Sequence, residues 1–288
     1  MNTVGIVIAA HNEASVIGRC LDALLSDPTA PPLEITVVAN GCADDTAAVA
    51  GKRDGVRVLD LPEPGKAGAL NAGDAVTTGF PRLYLDADIV LPHGSLRALT
   101  DALEPAGGPL AVVPRRRLDL TGRPLAVRGY FAINARMPAY HNALFGRGAI
   151  VLSRAGRARF DTFPGMVADD LFLDSLFTTD EKREVPAAVS TVATPLRTGD
   201  LLRRLVRVRA GNTAMRAAAA RGDAPTGVRK SVRSSWLRDV VLPRPWLAPA
   251  AVCYVALTLV AARKARGQTD AVWGRDESTR AQPSRQAG

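Results

Sequence analysis

The sequence predicts an α/β fold, a mostly parallel sheet flanked by helices, with a helical extension at the C-terminal end. Three observations carry this. Apolar runs of strand length recur through the first ninety residues, separated by stretches of helix length, and that alternation marks parallel βαβ units. The first run is continuous rather than alternating, as in strands buried on both faces. The polar residues that break the pattern, His11-Asn12-Glu13, Asn40, Lys66, and Asp86 with Asp88, all fall at the carboxyl ends of the predicted strands. Ligands of open α/β sheets bind there.

Taken in order, residues 3–10 (TVGIVIAA) form the first predicted strand. Asn12 is a candidate cap for the helix that follows, whose apolar positions Ile17, Leu21, Leu24 and Leu25 recur at helical spacing. Residues 33–39 (LEITVVA) form a second strand, and Asn40-Gly41-Cys42-Ala43-Asp44 is turn chemistry. Asp44 is placed to cap a helix running through Val49. Residues 56–61 form a third strand. Pro64-Gly65-Lys66-Ala67-Gly68 opens a glycine-rich loop, with a helix over 69–76. Residues 83–86 form a fourth strand, which ends in Asp86-Ala87-Asp88. Two carboxylates at the mouth of a buried strand cost free energy unless something pairs with them. A hard divalent cation such as Mg²⁺ or Mn²⁺ is a suitable partner, since it prefers carboxylate oxygens and bridges to substrate phosphates.

This layout resembles the family 2 glycosyltransferases. Residues 6–13 (IVIAAHNE) look like the family's opening strand and Asn-Glu turn, and 37–46 (VVANGCADDT) like its second-strand motif. Residues 65–73 (GKAGALNAG) are close to its Gly-Lys-x-x-Ala-Leu-Asn stretch, and Asp86-Ala87-Asp88 stands where its metal-binding Asp-x-Asp belongs. The order and spacing of the four motifs make the match specific over residues 3–92, and it is traceable to about residue 215. The resemblance implies the glycosyltransferase A-type, Rossmann-like nucleotide-binding fold and a nucleoside-diphosphate-sugar donor. It implies a nucleotide-sugar site at Ala9, His11, Glu13, Asn40, Lys66, Asn71 and Asp86. It implies a Mn²⁺ or Mg²⁺ held by Asp88 with Asp86. Ala39-Asn40 replaces the family's commoner acidic pair, which leaves uridine and guanosine both open.

The second half reads as the acceptor side. Residues 145–152 (FGRGAIVL) form a strand entered through a glycine turn, and the matching family segment, here Gly146, Arg147 and Gly148, lies near the acceptor. Asp169 and Asp170 precede an amphipathic helix with Leu173, Leu176 and Phe177. Acidic residues favour a helix's first turn, which explains one carboxylate better than two. By the resemblance the second acid, Asp170, is the catalytic base, with Asp169 its alternate. The implied chemistry is an inverting transfer. A carboxylate takes the proton of the acceptor hydroxyl, and the cation offsets charge on the departing diphosphate.

The net charge of +9 is concentrated. Residues 197–238 hold eleven basic and two acidic side chains and so account for the whole excess. On a helix from Asp200, the pattern predicts a packed face of Leu201, Leu205 and Val208 and a basic ridge of Arg203, Arg204 and Arg207. Arg209, partly on the apolar side, is the candidate arginine for the diphosphate, although the family's usual Gln-x-x-Arg-Trp is absent. Residues 245–262 are eighteen residues without a charge, bounded by Arg244 and by Arg263-Lys264-Ala265-Arg266. At about 1.5 Å per residue they reach roughly 27 Å as a helix, marginal for a bilayer core. Pro245 and Pro249 shorten that further. A single span would also set the basic cluster against the positive-inside tendency. The favoured expectation is a helix or hairpin lying in or dipping into the inner leaflet, with Trp246 and Tyr254 as candidate interfacial anchors. A true span and a buried packing helix are the alternatives.

The expected organisation is therefore a catalytic domain over 1–222, a basic and apolar membrane-associated segment over 223–267, and a disordered tail over 268–288. The chain is long enough for one elaborated domain. Three cysteines without metal spacing argue against a disulfide framework and fit a reducing cytosol. Met1-Asn2-Thr3 runs into the first strand without a basic start or cleavage site, so no signal peptide is expected. The expected location is the cytoplasmic face of the membrane, with soluble cytoplasm second. The expected acceptor is lipid-linked or membrane-proximal, within cell-envelope polysaccharide or glycolipid synthesis. A nucleic-acid binder is disfavoured, because aromatics are only 5% and the charge sits beside an apolar segment. A nucleotidyltransferase would show a glycine-rich loop after the first strand, where this chain has His11-Asn12-Glu13. A silent scaffold of the same fold is disfavoured by the intact acids.

Overall fold

A computed structural model describes residues 3–103, 107–165, 169–221 and 234–265. Its core is a seven-stranded sheet. The strands are β1 (Val4–Ala10), β2 (Leu33–Asn40), β3 (Val56–Leu61), β4 (Arg82–Leu85), β5 (Ala111–Asp119), β6 (Ala149–Leu152) and β7 (Lys182–Ala193). They lie in the order β3-β2-β1-β4-β6-β5-β7. Neighbouring strands are parallel except at β6, which runs antiparallel to both β4 and β5. The reversal of order beside β1 and β4 makes the crevice at their carboxyl ends a ligand site by topology alone.

The helices are α1 (Ile17–Leu25), α2 (Thr46–Gly51), α3 (Lys66–Val76), α4 (Ser95–Asp101), α5 (Leu125–Asn134), α6 (Arg154–Arg157), α7 (Asp169–Ser175), α8 (Thr198–Arg221) and α9 (Ala248–Ala265). Successive strand residues point to opposite faces, and the core divides accordingly. Ile6 and Ile8 of β1 pack with Ile17 and Leu21 of α1 on one face, while Val7 packs with Leu70, Phe163 and Phe172 on the other. A third apolar cluster joins α5, α8 and α9 through Val127, Tyr130, Leu201, Tyr254 and Leu257.

Several local expectations need correction. Asn12 does not cap α1, which has no side-chain cap. Asn12 instead adopts a left-handed backbone, φ 53°, and its Oδ1 accepts from the Ala43 N–H at 2.6 Å. Asp44 binds ahead of α2, accepting from Thr46 N–H at 3.1 Å and from Ala14 N–H at 3.1 Å, and so joins the turns after β1 and β2. On α8 the packed face runs through Leu201, Val206, Gly211 and Met215, whereas Val208 is exposed. Leu201 and the partly buried Leu205 pack as predicted, and the stripe continues through Val206 in place of Val208. The boundary expected at 222/223 and the tail at 268–288 lie outside the described residues.

Candidate active site

At the carboxyl ends of β1 and β4 the chain forms a cleft of about 320 Å³. Ala9, His11 and Glu13 line it from the first turn, and Lys66 and Leu70 from α3. Asp86 and Asp88 contribute from the end of β4, Gly146 and Gly148 from the turn before β6, and Asp169 and Asp170 from α7. Arg204, Arg207 and Val208 of α8 close the remaining side. Acids more than eighty positions apart in the sequence thus share one cavity.

Lys66 organises the centre. Its ammonium Nζ lies 2.8 Å from Asp86 Oδ1 and 2.9 Å from Asp169 Oδ2. Burial works against its charge, but the two carboxylates outweigh burial and hold its pKa well above the ordinary lysine value. Asp170 is held differently. Its Oδ2 accepts from the Gly146 N–H at 3.1 Å, and its pKa is pushed up to about 6, first by burial and then by the Asp169 charge. Lys66 and the Gly146 N–H oppose that rise. The adjacent acids therefore differ in kind, one paired with an ammonium and the other poised near neutrality.

The glycine turn sets this geometry. Gly146 and Gly148 have φ of 74° and 67°, a left-handed region that glycine adopts without strain. A Cβ on Gly148 would run into Ile89 and approach Asp86 Oδ2 within 3.1 Å. The Gly148 carbonyl accepts from Asp86 N–H at 2.8 Å, so the turn positions the carboxylates on both sides of the cleft. Arg147, expected near the acceptor, points away and is buried. Its guanidinium donates to the Pro114 carbonyl at 3.0 Å and the Tyr140 carbonyl at 3.1 Å, and it pairs with Glu184. It pins the turn to β5 and β7.

Three more expected site residues act beside the cleft rather than in it. Asn40 is fully buried. Its Nδ2 donates to the Ala10 carbonyl at 2.8 Å and its Oδ1 accepts from Gly65 N–H at 3.0 Å, so its amide ties β1 to the loop before α3 and is not free to read a base. Asn71 brackets the Phe163 backbone, donating to its carbonyl at 3.0 Å and accepting from its N–H at 2.7 Å. Arg209 donates to the Thr258 carbonyl of α9 at 2.9 Å. Arg204 and Arg207, earlier on the same helix, line the cleft instead. The predicted basic ridge held that signal, but the register of α8 was needed to read it. His11 stays at the cleft, with Nδ1 2.7 Å from the Asn40 carbonyl.

A model of the glycosyl transferase family 2 domain matches residues 5–155. The chain belongs to glycosyl transferase family 2. The matched stretch contains the first-strand turn, Lys66, Asp86, Asp88 and the glycine turn, and it ends before Asp169. Among solved structures, the mannosyltransferase PcManGT from Pyrobaculum calidifontis, in complex with GDP-Man and Mn²⁺, is 20% identical with a TM-score of 0.61. That match covers 93% of this chain and 88% of that one. S. aureus TarS 1–349 in complex with UDP is 13% identical, covers 92% of each chain and has a TM-score of 0.50. At these identities the likeness is one of fold, and it covers more of the chain than the family match does. Comparison with curated proteins gives no match.

The donor set suits a metal delivered with a diphosphate. Asp86 and Asp88 offer hard carboxylate oxygens, Asp88 exposed and Asp86 half-exposed. Among the described residues no group of three or more His, Cys, Asp or Glu side chains could hold an ion. Mg²⁺ and Mn²⁺ sites of this kind use one or two carboxylates and complete the shell with water and substrate phosphate.

Proposed function

We propose that the protein transfers a sugar from a nucleoside-diphosphate sugar, of UDP or GDP type, to an acceptor hydroxyl with inversion. The observation that carries this reading is the convergence of Asp86, Asp88, Lys66, Asp169 and Asp170 in one cleft of a family 2 transferase. Asp88 with Asp86 would hold Mn²⁺ or Mg²⁺, and that ion when bound offsets negative charge on the diphosphate. The neighbours complexed with GDP-Man and Mn²⁺ or with UDP support this donor class.

The chain's own residues do the rest. Ala9 leaves room for the nucleotide beside His11 and Glu13. Arg204 and Arg207 face the cleft opposite the carboxylates and balance the diphosphate charge. Lys66 fixes Asp169 and Asp86 relative to each other. Asp170, held by Gly146 N–H and poised near neutral pH, removes the proton from the acceptor hydroxyl as it attacks. Positioning and preorganised charge supply the remaining acceleration.

We assign the acceptor to the membrane surface, at the cytoplasmic face, within cell-envelope polysaccharide or glycolipid synthesis. Support comes from α9. One side of it packs on α5 and α8, while Val252, Leu259 and Val260 stand exposed on the other, as does Trp246 just before it. The segment Pro245–Ala265 is long and apolar enough to cross a bilayer by length and composition, but its lateral packing favours lying in the leaflet over spanning it. The decisive test is calorimetry of UDP and GDP binding with Mn²⁺ and with EDTA. Binding should need the cation and be lost in Asp88→Ala with the fold intact. Equal affinity in EDTA and Mn²⁺ would sink the proposal.

A further inference from the structure

The run Arg115-Arg116-Arg117 on β5 has no part in the chemistry above. Arg117 donates to Thr191 Oγ1 at 2.9 Å. Arg116, on the opposite face of the strand, is half-buried, and its guanidinium carbon lies 4.0 Å from the centroid of the Tyr140 ring. Stacking uses the face of a guanidinium and leaves its in-plane N–H groups available for a planar anion. Among the described residues, no hydrogen-bond or ion-pair partner is assigned to Arg116. Arg204 and Arg207 line the cleft and are assigned above to the diphosphate, and Lys66, Arg147 and Arg209 are engaged. Lys66 binds Asp86 and Asp169, Arg147 binds Glu184 and backbone carbonyls, and Arg209 binds the Thr258 carbonyl.

The position of Arg116 relates it to the base. Its Nη1 is 3.4 Å from the point where a Cβ on Gly146 would stand, as is Tyr140 Cε1. Gly146 is the residue whose N–H holds Asp170. One residue of backbone therefore separates the base from an open guanidinium. Burial lowers the pKa of the neighbouring Arg147, and the Arg116 charge adds to that lowering against the stronger opposing pull of Glu184. From Tyr140 a chain of contacts runs toward the apolar helix. Asn134 donates to Tyr140 Oη at 3.1 Å and to Tyr130 Oη at 3.4 Å. Tyr130 stacks on Tyr254 of α9 with ring centroids 5.2 Å apart.

We infer that Arg116, on its Tyr140 platform, binds an anionic group of phosphate type on the acceptor and so sets which hydroxyl meets Asp170. This deepens the transferase reading and rests on it for the identity of the base. An anion at Arg116 would then lie across Gly146 from a hydroxyl at Asp170. The Asp170 carboxylate opposes such a group, and the Gly146 N–H and Lys66 offset that charge in part.

The test titrates two probes against the full-length protein with the donor site filled by nucleoside diphosphate and Mn²⁺. One probe is inorganic phosphate and the other is monomeric dihexanoyl phosphatidylglycerol. Arg116→Gln should weaken both at least tenfold, Arg116→Lys should recover part of the loss, and Arg117→Gln should leave both affinities unchanged. Much tighter binding of the lipid identifies an amphiphilic acceptor, and equal binding identifies a soluble phosphorylated one; both support the subsite. No binding of either probe to the wild-type protein overturns it, as does an equal loss in Arg116→Gln and Arg117→Gln. If nucleoside diphosphate itself fails to bind, the donor reading fails, while the Arg116→Gln comparison without nucleotide still decides the anion site.

Discussion

Asp169 and Asp170 are neighbours with one side-chain chemistry and two environments, and that difference is testable. Only the ionised form of Asp170 can accept a proton, and its pKa is raised to about 6. Turnover should therefore fall as pH drops through 6 and level off above 7. Asp170→Asn should remove about 10²–10⁴-fold of kcat, the usual contribution of a general base, while nucleoside diphosphate affinity stays near wild type. Retention of more than roughly a tenth of wild-type turnover would shift the role to Asp169. The sign of the stability effect is also set. A carboxyl whose folded pKa lies above its unfolded value costs stability once ionised, a cost absent below pH ~4 and complete above ~6. Asp170→Asn should then raise the melting temperature at pH 7.5, whereas loss of a purely structural residue would lower it. Legibility at this scale was mixed. Asp86, Asp88, Lys66 and the paired acids stood out because charge at a strand mouth is costly without a ligand. Asn40 and Arg147 misled, because a polar side chain already satisfied within the fold looks in sequence like one awaiting a substrate.

At the scale of elements, β1 to β4 and the helices between them were legible because each strand is a short apolar run bounded by turn residues. The strands β5 and β7 were not. Pro114 and three arginines interrupt β5, and its pairing with β7 shifts register between Pro114 and Arg115. The helix α5 carries Gly129 in its interior, where a Cβ would meet Cys253 Sγ at 3.0 Å; the glycine that weakens the helical signal allows α9 to approach. The pair Asp174–Lys182 joins α7 to β7 at 2.9 Å with both side chains nearly inaccessible, and Asp174 also accepts from Leu144 N–H at 2.9 Å. Removing one partner of a buried pair strands the other charge, at a typical cost of about 3–5 kcal/mol. Asp174→Ala should lower unfolding free energy by that order in denaturant titrations. Because α7 carries Asp170, donor turnover should fall with it. A loss below about 1 kcal/mol would mean that water reaches Lys182.

For the whole molecule, the question is where α9 faces. Its inner side holds Ala251, Tyr254, Leu257 and Ala261 against α5 and α8. Truncating the chain before it would uncover that core and confuse misfolding with release. The informative variants lie on the outer side, where Val252 is 69% and Leu259 56% exposed. Burying such side chains is worth on the order of 1.5–3 kcal/mol each. Arg263 and Lys264 at the helix end add about 1 kcal/mol apiece near anionic headgroups. Neither contribution alone gives firm attachment, but together they do. The double variant Val252→Glu, Leu259→Glu should leave anionic vesicles in a flotation assay while keeping wild-type affinity for nucleoside diphosphate and Mn²⁺. Salt at 0.5 M should detach the wild-type protein only in part, because screening weakens the headgroup attraction and not the apolar insertion. Wild-type protein that remains monodisperse and soluble at physiological salt, without detergent and with vesicles present, would show that the outer stripe serves another surface. The lipid-linked acceptor would fall with it, whereas the donor site, built on β1 and β4 at the far end of this chain of contacts, would stand.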